Sequence, residues 1–219
     1  MAAPLPDQDP AHDRCDRLRT HSEVRKDLSV SIAGQQTATV ATYETDRELL
    51  SLVLRPYKMH CRYLKTADLE AAQDPGPTVA GNFEIDESCY IDDTGHFNSV
   101  EFNICYNQLA YYLIAKSVQE GLLPAFRDWR LDDFWRRQLP NILITDLRSR
   151  FQREIRGKRF SGSISLTNLV RLEKSQRWNR LIVLYTSCRF WDDKGGLCRG
   201  EVKIAITNPV LPCPARSPP

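Results

Sequence analysis

Long apolar runs are missing from this 219-residue chain, and none approaches the ~20 residues that a membrane-crossing helix needs. No membrane partner is therefore expected. The polar, proline-rich start MAAPLPDQDPAHDR also lacks the apolar stretch of a secretory signal. An excess of one charge is absent too: 30 Lys and Arg against 28 Asp and Glu leave +2, no bulk reason to expect nucleic acid. Seven cysteines are scattered as Cys15, Cys61, Cys89, Cys105, Cys188, Cys198 and Cys213, with no CxxC pair, so neither a zinc site nor a redox dithiol is indicated. Several lie inside apolar patterns, where a reduced thiol serves as a small hydrophobe, and this fits a reducing cytoplasm. Missing as well are GxSxG, HExxH and a phosphate-cradling glycine loop.

What is present is 42% hydrophobic and 26% charged, an ordinary globular balance. Residues 1–40 have no sustained apolar period and read as an unstructured extension. The tail PVLPCPARSPP, residues 209–219, holds five prolines and cannot extend a sheet. Between them, 41–208 reads as one domain without repeats. ETDRELLSLVL, Glu44 to Leu54, is an amphipathic helix ended by Pro56. YKMHCRYL, Tyr57 to Leu64, reads as extended. Val79, Phe83 and Ile85 mark a strand, and Val100, Phe102 and Ile104 alternate with polar residues as a second. Helical spacing then takes over from Tyr106 to Gly121, with a further helix expected over Ala125 to Gln138. The last third is strand: Leu143, Leu147, Phe151 and Ile155 on one side of the first, then Ile164 to Leu172, Leu181 to Trp191 and Val202 to Ile206. Leu181 to Trp191 is apolar on both faces, as for a central strand covered on both sides. The fold class is α+β. An antiparallel sheet of about six strands wrapped round one long helix is the hot-dog architecture.

The segment Thr78 to Gly121 carries the strongest functional signal. Its helix is expected to begin at Tyr106, Asn107 and Gln108, where unpaired N–H groups attract negative charge. Asn107 there can hold a carbonyl oxygen, or it can merely cap the helix. Tyr106 and Tyr111 beside it are candidates for substrate contact, with core packing as the plain alternative. RPYKMHCRYLK concentrates Tyr57, Lys58, His60 and Arg62. His60 is a candidate general base, or part of a charged edge strand. In a regular strand Tyr57 and His60 would face opposite ways, so a shared site requires a bend after Pro56. His96 in DDTGHF reads as a turn histidine. From Arg127 to Arg159 ten Lys or Arg stand against five Asp or Glu, either a solvated face or a dock for an acidic carrier protein or the phosphates of coenzyme A.

YKMHCRYL followed by SCYIDDTGHFNSVEFNICYNQLAYYLIA resembles the FcoT-type hot-dog thioesterases, over roughly residues 50–208. The resemblance implies a homodimer, often assembled further, with sites at the subunit interface and a tunnel for an acyl chain. It implies addition of glycine to the β-carbon of a 2-enoyl thioester, with hydrolysis in some members, in natural-product pathways. No cofactor or metal is implied beyond the phosphopantetheine of an acyl carrier protein, or coenzyme A, that carries the substrate. Carried across, the site residues are Tyr57, Tyr90 and Asn107, with His60 as base; Lys58 and Arg62 are the nearest cations by sequence for the glycine carboxylate. A plain acyl thioesterase needs the same site, and a non-catalytic acyl-thioester sensor is the rival from another class.

Overall fold

The computed structural model describes residues 40–74, 76–92, 95–156, 158–172 and 181–207. The extensions expected over 1–40 and 209–219 lie outside these, Val40 excepted. Seven strands form one antiparallel sheet in the order β1-β2-β3-β5-β6-β7-β4. They are β1 (Ala41–Tyr43), β2 (Leu64–Ala71), β3 (Thr78–Glu84), β4 (Ile142–Arg153), β5 (Arg159–Leu172), β6 (Leu181–Trp191) and β7 (Leu197–Thr207). Three α-helices accompany them: α1 (Arg47–Leu54), α2 (Ser99–Gln119) and α3 (Leu131–Arg137). The sheet wraps α2, which gives the hot-dog arrangement.

Helix α2 is where local chemistry decides the architecture. Asn98 caps it, accepting from the Val100 amide at 2.8 Å, and the Glu101 carboxylate reaches back to the Asn98 amide at 3.0 Å. This reciprocal pair satisfies donors that a helix start leaves orphaned. Gly121 ends the helix at φ +64°, and the Leu122 amide returns to the Ser117 carbonyl at 2.9 Å. Every residue from Tyr111 to Val118 is buried, Lys116 among them with its Nζ 2.7 Å from Glu120 Oε1. Close approach needs missing side chains: a Cβ on Gly200 of β7 would stand 2.6 Å from the Phe102 ring. Around that contact Phe83, Phe97, Phe102, Phe160 and Phe190 pack with ring centroids such as 4.8 Å for Phe97–Phe160 and 5.3 Å for Phe102–Phe190.

The sequence reading is corrected in four places. Val100, Phe102 and Ile104 do not form a strand; they lie in the first turns of α2. Tyr57 to Leu64 is not extended: a 3₁₀ turn, Met59–Cys61, precedes β2. Leu143 does not share a side with Leu147 and Phe151, and Ile155 lies beyond β4. The register slips between Ile144 and Asp146, leaving Leu143 opposite Ala205 but Leu147 opposite Val202. That bulge puts Ile142, Ile144, Leu147 and Phe151 towards the helix and Leu143, Arg148 and Arg150 outward. Likewise β6 is central, between β5 and β7, but its outer face is open at Tyr185 and Arg189.

Candidate active site

Since α2 begins at Ser99, Asn107 is in its third turn, not at its start. Its backbone amide lies inside the helical ladder, so the expected cluster of free N–H groups around it does not exist. The side chain supplies what donor there is: Asn107 Nδ2 donates to the Asn103 carbonyl at 2.8 Å and to Asn103 Oδ1 at 3.2 Å. Along one stripe of α2, Val100, Asn103, Ile104 and Asn107 stay at least partly open while the rest of that length is buried. Tyr111, one turn further on, is 8% exposed and ends the stripe. Beside it the inner face of β4 presents Phe151, 6.2 Å from the Phe102 ring, and Leu147, both still exposed.

The loop from Tyr57 to Tyr63 is fixed to α2 by a residue whose role the sequence did not disclose. Gln108 is fully buried, and its Oε1 accepts from the amides of Tyr63 (3.0 Å) and Leu64 (2.9 Å). Its Nε2 donates to the Cys61 carbonyl at 2.6 Å. A buried amide with this many backbone partners substitutes for a strand ladder. Arg62 adds a second tie: its Nε donates to the Tyr57 carbonyl at 3.1 Å and Nη2 to the Arg55 carbonyl at 3.2 Å. The bend required after Pro56 is present, with Tyr57 N bonded to the Leu54 carbonyl at 3.0 Å.

Within that loop Tyr57 is half-buried against the core, in electrostatic contact with Tyr111 and Cys105. Burial, then those two neighbours, drives its hydroxyl well above the usual phenol range. Tyr111 is raised by burial alone. Both therefore stay neutral near pH 7. His60 and Lys58 are exposed. Tyr90 is also exposed, at the cap of α2, where its hydroxyl accepts from Asn98 Nδ2 at 2.9 Å. Asn98 and Asn107 are nine residues apart, about 13 Å along a helix at ~1.5 Å per residue. One chain alone thus keeps Tyr90 at the far end of the stripe from Asn107. Tyr106 turns the other way: fully buried, its hydroxyl lies 2.7 Å from Thr186 Oγ1, which donates onward to the Val202 carbonyl. It is a core residue of the helix–sheet contact, not a wall of the stripe.

A family model described as the FcoT-like thioesterase domain matches residues 52–206. The chain belongs to the FcoT-like thioesterase family. Among curated members, a (2E)-enoyl-[ACP] glycyltransferase of Streptomyces coeruleorubidus is 47% identical over 164 residues, 75% of this chain and 98% of that protein. The enzyme of the same description from Mycobacterium marinum is 40% identical over 177 residues, 80% of this chain and 92% of that protein. Among solved structures, zebrafish thioesterase superfamily member 2 aligns with TM-score 0.42 and 8% identity, over 73% of this chain and 94% of that one.

In this FcoT-like chain four of the described thiols are disfavoured as nucleophiles by burial. Burial raises Cys105, with Glu101 and Cys89 adding to the effect, and raises Cys61. Cys188 and Cys198 are pushed up to about 12 by burial. Thiolate character at neutral pH is thereby suppressed. Among the described residues no group of His, Cys, Asp and Glu is placed to hold a metal ion. No helix among them is long and apolar enough to cross a membrane.

Proposed function

We propose that this chain adds glycine to the β-carbon of a 2-enoyl thioester carried on an acyl carrier protein and then hydrolyses the thioester. The observation that carries the reading is the open stripe of α2. There a polar pair, Asn107 and Tyr111, shares one helix face with apolar Val100 and Ile104, as a polar reacting head on an acyl chain requires. Support comes from relatives described as glycyltransferases for that substrate, matched over more than nine-tenths of their length.

In the addition, His60 takes a proton from glycine's ammonium, because only the neutral amine has a lone pair to give. The amine forms the bond to the β-carbon, and the double-bond electrons move onto the thioester oxygen as an enolate. Asn107 Nδ2, turned from the Asn103 carbonyl, and the neutral Tyr57 hydroxyl donate to that oxygen. The proton returns to the α-carbon, and the enolate collapses to the saturated thioester. Arg62 is committed to backbone carbonyls, so Lys58 is assigned the glycine carboxylate. In the hydrolytic step water attacks the carbonyl carbon at the same donors, and the thiol leaves.

The working unit is a homodimer. Among the described residues β4 is paired only on its β7 side, so twelve residues of ladder edge and the exposed Leu147 and Phe151 await a partner. A second β4 covers both and carries another Tyr90 to the stripe. The catalytic body is taken as 41–208, in the cytoplasm, with the flanking segments outside it. The natural-product setting rests on the resemblance alone. Mass spectrometry of the purified protein with a medium-chain 2-enoyl thioester on a carrier protein, with and without glycine, tests the reading. A glycine-dependent gain of one glycine supports it; free enoic acid that ignores glycine replaces it with simple thioester hydrolysis.

A further inference from the structure

The outer face of the sheet, turned away from α2, carries a feature the reaction does not use. Arg150 of β4 stands opposite Arg199 of β7, and Arg199 stands opposite Arg189 of β6. Three arginines thus lie side by side across three strands, within about 10 Å at a strand spacing of ~4.8 Å. Like charges directly opposite each other destabilise a sheet. Among the described residues none of the three is in an ion pair. The nearest acid by register, Glu201, is in the next row opposite Arg148, a fourth arginine.

The row is the wall of a hollow of about 520 Å³ whose floor is made of short side chains, Ser163, Ser165 and Ser187 among them. That volume is within the range of small-molecule sites. Ser165 already accepts from Thr78 Oγ1 at 2.9 Å, but the hydroxyls of Ser163 and Ser187 have no side-chain partner among the described residues. Arg189 is held from behind, its guanidinium 4.9 Å over the Trp191 ring, which leaves its N–H edge free to bind. Cationic walls over a hydroxyl floor fit a compact anion that enters the hollow, whereas a flat acidic protein face would stop at the guanidinium tips. A phosphate group takes two forks well, so three forks in a row call for two linked phosphates.

We propose that this hollow binds a diphosphate-bearing small molecule, with Arg199 as the central contact and Arg150 and Arg189 on either side. Titration calorimetry and thermal melting with pyrophosphate, on the full chain, test it, with sulfate at equal ionic strength as the reference anion. The expected result is saturable binding and a raised melting temperature beyond any effect of sulfate. Affinity falls at least tenfold in Arg199→Gln and is unchanged in Arg127→Gln, an exposed arginine elsewhere. Without anion, Arg199→Gln melts at the same temperature as the parent or higher, because a repulsion has been removed. Arg189→Gln carries the same expectations as a second variant. ADP in parallel identifies the source: tenfold tighter binding than pyrophosphate assigns a nucleotide, and equal binding a free diphosphate. A response no larger than that of sulfate, or one that survives both substitutions, overturns the proposal.

Discussion

Replacing Gln108 by methionine keeps the length of the side chain and removes its polar atoms. Three backbone groups then lose their partners at once: the amides of Tyr63 and Leu64 and the carbonyl of Cys61, all bonded to a fully buried side chain. An orphaned buried polar group costs about 1–3 kcal/mol. Allowing for water entering from the loop side, the expected destabilisation is about 3–5 kcal/mol. At ~2–4 °C per kcal/mol for a domain of this size, the melting temperature should drop by about 6–20 °C. Urea unfolding gives the free energy, and hydrogen exchange shows where it acts, since the Tyr63 and Leu64 amides should exchange fastest relative to the parent. The loop carrying Tyr57 and His60 is released together with them, so turnover should fall even where the protein remains folded. A loss below about 1 kcal/mol, with those two amides still protected, would refute the idea that one side chain holds the loop.

Four further outcomes are expected. Asn107→Ala should lose about 10²–10³ in turnover, the effect of one oxyanion donor, with little change in melting; unchanged turnover would remove Asn107 from the site. Phe151→Glu, on the unpaired strand, should give a monomer by light scattering and abolish activity, whereas an intact dimer would move the interface elsewhere. Folding raises the ionisation of Cys188 and Cys198 from 9.0 to about 12, so the unfolded chain releases those protons first. Their stabilisation is complete below about pH 9 and declines between there and pH 12, at about 1.4 kcal/mol per pH unit for each thiol; urea midpoints against pH should show a shallower alkaline fall in Cys188→Ala. Asp46→Ala removes the α1 cap that accepts from Leu49 N at 2.9 Å and should cost about 1 kcal/mol. An effect within 0.3 kcal/mol in urea unfolding would mean that water replaces the cap.

Much of the architecture was legible because it rests on period and punctuation. The strand over Val79 to Ile85, the glycine that ends α2 and the long strands of the last third follow from alternation and turn residues. The start of α2 was misread because Val100, Phe102 and Ile104 satisfy a period of two over a short window. The overlooked signal was Asn98 with Glu101 three residues later, a capping pair written in the sequence. The site was harder to read. Asn107 was singled out for its position at a helix start, which it does not occupy. Gln108 left no pattern at all, because what makes it matter is a set of backbone groups 44 to 47 residues away. Tyr90 and His60 stand apart from Tyr57 in exposure, and a single chain's sequence has no notation for what a second copy brings.

The slip in β4 between Ile144 and Asp146 sets a parity rule for the chain. Alternation is blind to everything except odd and even, and this one surplus residue is what assigns Leu147 and Phe151 to the helix side and Arg148 and Arg150 to the other. Removing one residue there would exchange the two sides of β4 beyond the slip, putting Arg148 and Arg150 towards the helix and Leu147 and Phe151 at the edge of the outer hollow. Removing two would shorten the strand and leave both surfaces as they are. Length changes in this strand should therefore be tolerated in pairs, and a single-residue deletion should be more damaging than any substitution nearby.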